Sequence, residues 1–132
     1  MREFICTAIG AIGAFIAMLF GGWDTAISVL LLFMIIDYVT GLAVAIVGKS
    51  KKTEGGKISS ETAWKGLVKK CVTLLMIIVA HWLDVVLGID YCKNGACIAF
   101  IANETISIVE NAGLLGVPLG VFKKALELFN KE

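Results

Sequence analysis

The sequence predicts an all-α integral membrane protein: a helical bundle of about four transmembrane helices followed by a C-terminal amphipathic helix. Three observations carry this prediction. Ala, Val, Ile, Leu, Met, Phe, Trp, Tyr and Cys make up 58% of the 132 residues, and mean hydropathy is +0.89. Charged residues are 17%, against about 25% in soluble domains. The apolar residues fall in long runs, and Pro118 is the only proline to interrupt a helix. A soluble chain of 14.1 kDa has too much surface for its volume to hide this much apolar material. The length suits a single domain over 1–132. A disordered chain, a disulfide-framed miniprotein and most soluble enzymes are excluded. A net charge of +1 gives no bulk basicity to attract nucleic acid.

A helix needs about 20 apolar residues to cross the hydrocarbon layer. The first run, 4–20, is uncharged and only just long enough. Glu3 offsets Arg2, and no small-x-small site follows Phe20, so this run is expected to remain as a span rather than be cleaved as a signal peptide. Gly21-Gly22-Trp23-Asp24 reads as a turn at the membrane surface. The second run, 25–48, is interrupted only by Asp37. Residues 49–66 form a solvated, Lys-rich loop in which Glu54-Gly55-Gly56 should be flexible. Within it, Ser59 to Thr62 can cap a short helix leading through Trp64 into the third run, 67–89. Asp90 to Gly95 is a second turn. The fourth run, 96–117, is the weakest, because it contains Asn103, Glu104, Glu110 and Asn111. In the tail, 119–132, Leu119, Phe122, Leu126 and Phe129 recur at helical spacing opposite Lys123, Lys124, Glu127 and Lys131. Such a segment lies in the headgroups or frays.

Four crossings put Arg2, Lys49, Lys51, Lys52, Lys57, Lys65, Lys69, Lys70, Lys123, Lys124 and Lys131 on one side and Lys93 alone on the other. The positive-inside rule then places both termini and the long loop in the cytoplasm. The basic loop (Lys49, Lys51, Lys52, Lys57, Lys65, Lys69 and Lys70) would hold this orientation and engage anionic lipid.

Ionisable residues inside a span are costly and face a partner or water. At about 100° per residue, Asn103, Glu104, Ser107, Glu110 and Asn111 occupy an arc of about 120° on the fourth helix. On the third, Lys70, Thr73, His81, Asp84 and Gly88 lie within about 80°, and His81 can pair with Asp84. On the second, Asp37 shares a face with Gly41, Ala45 and Gly48, with Thr40 beside them. On the first, Cys6, Gly10, Gly13, Ala14, Ala17 and Gly21 form a groove of small side chains that suits close helix contact. One four-helix monomer could bury these faces centrally. They are more polarity than a small dry core usually holds, so the sequence favours copies that associate, with polar faces meeting each other or lining water.

No catalytic constellation is visible. His81 is the only histidine, so several imidazoles cannot gather on a metal within one chain, and neither metal nor cofactor is expected. Cys92 and Cys97 flank the second turn, where a disulfide outside the cell is an option.

Three stretches read together resemble the phage-lysis and toxin-secretion holin family. They are Gly21-Gly22-Trp23-Asp24 leading to Asp37-Tyr38-Val39-Thr40-Gly41, Ser59 running through Lys65-Gly66 to Lys69-Lys70, and Asn103-Glu104 through Ser107 and Glu110-Asn111 to Gly116-Val117-Pro118. Trp64 and Gly120 depart from the pattern, where relatives carry a small or polar residue and a second proline. The resemblance implies a holin: a homo-oligomer in the bacterial (host) cytoplasmic membrane that forms lesions and releases an endolysin or a large toxin as cargo, without a specific site for it. Rival readings are a small four-span ion or drug exporter, in which Asp37, Glu104 and Glu110 could shuttle protons, and an accessory subunit of a membrane complex.

Overall fold

The computed structural model describes residues 1–129, without the side chains of Leu126 and Phe129. Lys131 and those two apolar positions of the tail therefore lie outside the described residues. The chain is all-helical: α1 (Arg2–Leu19), α2 (Thr25–Ile46), α3 (Ser60–Leu87), α4 (Cys92–Leu114) and α5 (Gly120–Phe129), with no strand among the described residues. Helices α1, α2 and α3 are long and apolar enough to cross a membrane. Helix α4, at 23 residues, has the length without the hydropathy. Three candidate spans are thus shown where the sequence predicts about four.

Local signals set the boundaries. Asp24 caps α2 by accepting the Ile27 amide at 3.0 Å. Ser59 caps α3, accepting from Thr62, so α3 is a single 28-residue helix from Ser60 and takes in the end of the expected loop. What remains of the loop is folded. Glu54–Gly56 is a short 3₁₀ turn, the Ser50 amide bonds the Gly56 carbonyl at 3.1 Å, and a Cβ on Gly56 would lie 2.2 Å from the Gly48 carbonyl oxygen.

Helices α2, α3 and α4 form the bundle, with α4 packed mainly on α2 and less on α3. Toward the end with the two short turns, Phe20, Ile27, Leu30, Met34, Ile77 and Cys97 make a dry core, flanked by Leu74, Phe100 and Ile101. Toward the loop end, a cleft lies between α2 and α3.

Helix α1 stands apart, with no buried residue. It is fastened only at its last turn. The Trp82 indole donates to the Leu19 carbonyl at 3.1 Å, and Phe20 enters the core edge-on to Trp23. Gly21 makes the corner at φ 74°, with the His81 ring where a Cβ would be, 2.1 Å away at its nearest atom. Both constraints exclude a side chain. Gly21→Ala should release α1 from α3, and Trp82 fluorescence should shift toward that of a more mobile indole while far-UV circular dichroism stays unchanged.

Candidate functional site

The polar residues of α2, α3 and α4 converge on one ammonium group. Lys70 Nζ lies 2.7 Å from Asp37 Oδ2 and 2.8 Å from Glu104 Oε2. The Asn111 amide donates to Asp37 Oδ1 at 3.0 Å and to Thr40 Oγ1 at 3.0 Å. Asp37 and Glu104 each stand twelve residues from the turn end of their helix, about 18 Å along a helix axis. The cluster therefore sits near mid-depth of a bilayer-sized bundle. There both carboxylates are buried and share the Lys70 ammonium, a pairing that a low-dielectric surrounding favours. One lysine faces two carboxylates, so the cluster either carries a net negative charge or retains a proton.

A cleft of about 610 Å³ runs from the loop end to this cluster. Its walls are Gly41, Leu42 and Ala45 on one side and Ala63, Gly66 and Met76 on the other. Its floor is Asn103, Glu104 and Ser107 of α4. Lys52 and Lys69 also line it, and both are exposed. Tyr38 bridges α2 and α3, donating to the Ala63 carbonyl at 3.4 Å.

A second polar group fastens the turn end. Asp84 of α3 accepts the Cys92 and Lys93 amides, both at 2.9 Å. Those first-turn donors of α4 have no partner within their own helix, and Tyr91 supplies no side-chain cap. Buried Lys93 pairs with Asp24 at 3.2 Å, joining the second turn to the first. The Ile27 amide, aided by Lys93, holds the Asp24 carboxyl below the usual carboxylate range.

The expected site residues thus divide. Asp37, Thr40, Glu104 and Asn111 meet in the mid-depth cluster, with Gly41 and Ala45 beside it on α2, Gly41 in van der Waals reach of Asn111. Asp84 works alone at the turn end. Three expectations are corrected. His81 does not bond Asp84; it stacks edge-on against Trp82 at 5.1 Å, because the free amides of α4 are better donors to that carboxylate. Lys70 is not part of a lipid-facing loop, since helix α3 begins early and turns it inward. Cys92 and Cys97 are free, with Cys97 fully buried in the core. Five residues apart on one helix, their Cα atoms are about 8–9 Å apart, beyond the reach of a disulfide. Asn103 and Glu110 are exposed, as are Gly10, Gly13 and Ala14 of α1, and a Cβ on either glycine would meet no side chain or other helix within 4 Å. Lys49, Lys51, Lys52, Lys57, Lys65 and Lys69 are exposed, Lys65 pairing with Glu61 at 2.7 Å.

Sequence reasoning missed the roles of Lys70 and Lys93. For Lys70 a signal existed: it shares a helical face with Thr73, His81 and Asp84. For Lys93 none did, because its partner Asp24 is distant in sequence.

The model for the bacteriophage holin family matches residues 14–131. An uncharacterised protein of Halalkalibacterium halodurans is 34% identical over 90% of this chain and 87% of its own length. An uncharacterised protein of Clostridium perfringens is 34% identical over 97% of this chain and 93% of its own. A protein of Bacillus phage phi105 named as a probable holin is 33% identical over 70% of this chain and 64% of its own length. No solved structure matches.

Proposed function

The chain belongs to the bacteriophage holin family, and from that premise we propose that it acts as a holin, with copies gathering in the bacterial cytoplasmic membrane and opening lesions wide enough to release an endolysin or a large toxin. The observation that carries this reading is the division of the molecule. Three helices close on a polar cluster about Lys70, and α1, apolar and of spanning length, has no buried residue and is fastened to α3 at its last turn. A free spanning helix gives each copy a surface for its neighbours. Helix α4 lies alongside α2 and α3 and crosses with them as the fourth span, with Glu104 and Asn111 turned in toward Lys70 and Asp37. The loop end, with its lysines, faces the cytoplasm, as do both termini. The lysines engage anionic headgroups.

Induced expression in bacteria should, after a delay, collapse the membrane potential and release a cytoplasmic reporter enzyme. Release of small dye without reporter enzyme would favour an exporter, for which the cleft reaching the mid-depth carboxylates is the supporting feature. Glu110 is exposed on α4 and has no ion pair among the described residues. Glu110→Leu should leave membrane insertion intact and delay reporter release about twofold or more, through loss of a polar contact between copies or with water.

A further inference from the structure

We propose that α1 of one copy docks into the α2–α3 cleft of the next, so that copies join head to tail. This deepens the assembly reading above and rests on the chain spanning a membrane.

The first argument is placement. Helix α1 is tied to α3 through Trp82, which bonds the Leu19 carbonyl. The cleft opens at Thr73 on the same helix. Nine residues separate Trp82 from Thr73, which at about 100° each puts them on opposite faces of α3. A copy therefore carries its tongue on one side and its groove on the other, and cannot fill its own groove. Two different surfaces meeting in this way form a heterologous contact, which builds rings or open arrays rather than closed dimers.

The second argument is fit along the membrane normal. Thr7 stands twelve residues from the turn end of α1, as Asp37 and Glu104 do in α2 and α4. Thr7 of a neighbour thus reaches the depth of the cluster. Glu104 is 7% exposed and spends only Oε2 on Lys70; its Oε1 has no hydrogen-bond partner among the described residues. The Thr7 hydroxyl, now bonded to the Glu3 carbonyl at 2.9 Å, can supply one.

The third argument is the face itself. Glu3, Thr7, Gly10, Ala14 and Ala17 lie on one side of α1, and Gly41, Ala45, Ala63 and Gly66 line the cleft. Small residues on both partners let the backbones approach. At the loop end, Glu3 is the only acid of α1, and exposed Lys52 and Lys69 line the cleft with no acidic partner among the described residues.

The test is thiol cross-linking in membranes of non-lysing protoplasts. One full-length variant keeps Cys6 and carries Cys71→Ala and Cys92→Ala. A second, differently tagged, carries Cys6→Ala, Cys71→Ala, Cys92→Ala and Ser107→Cys. Buried Cys97 stays in both. A short bismaleimide should link the two when they are co-expressed, and should link neither variant to itself. Adding Gly10→Leu to the first variant should lower the cross-link yield about tenfold. A Cβ on Gly10 would meet no side chain or other helix within 4 Å in its own copy, so the fold is not disturbed. Linkage of Cys6 to Cys6, or no linkage at all, overturns the head-to-tail contact. Reporter release is read separately: linkage without release leaves this contact standing and removes the holin reading.

Discussion

Lys70→Met should unfold the bundle more readily than any other single change, costing about 3–5 kcal/mol, the usual penalty for removing one partner from a buried ion pair. Lys70 Nζ is the only cation within bonding distance of Asp37 and Glu104 among the described residues. Without it, two carboxylates held at 8% and 7% exposure would face each other in a medium that does not solvate them. Reversible unfolding in mixed micelles, followed by circular dichroism, gives the loss directly. The diagnostic control is the triple variant Lys70→Met, Asp37→Asn, Glu104→Gln. It removes both charges with the ammonium and should recover most of the stability. If Lys70→Met alone unfolded like the parent chain, the mid-depth ion cluster would have no structural role.

Asp84→Ala should be the next most damaging, because it removes two charge-assisted hydrogen bonds at the start of α4. The carboxylate takes the place of the side-chain cap that α4 lacks, and it holds the start of α4 to the end of α3. Its loss should fray α4 first, exposing Lys93, Cys92 and then Cys97. Thiol labelling of Cys97, fully buried in the parent, reports this step. Asp84→Asn keeps one acceptor oxygen and should give an intermediate labelling rate. Equal protection of Cys97 in Asp84→Ala and the parent would count against the capping role.

Much of the fold was legible in the chain because hydrophobic runs and caps are local. The second run, the turn at Gly21–Asp24 and the Ser59 cap appear in the structure close to where the sequence puts them. Angular arithmetic on α4 put Glu104 and Asn111 on its polar stripe, and both turn inward, whereas Asn103 and Glu110 of the same stripe are exposed. It could not say what they face. The sequence favours contacts between copies for Asp37 and Glu104, and within one chain both bind Lys70, which the sequence puts on the polar face of the third helix and also counts with the basic loop. A hydropathy window reads a lysine as the edge of a span; it cannot see two carboxylates waiting on other helices.

By itself, then, the order of residues determined that this is a helical membrane protein, where most of its helices run and which faces are unsuited to lipid, because each of these follows from neighbours within a few turns. Only the tertiary structure decided which polar groups meet each other, that Asp84 caps a different helix from its own, and that α1 buries none of its residues. Those outcomes depend on pairs such as Asp37 with Asn111 and Leu19 with Trp82, distant along the chain and joined by the way three helices close and a fourth does not.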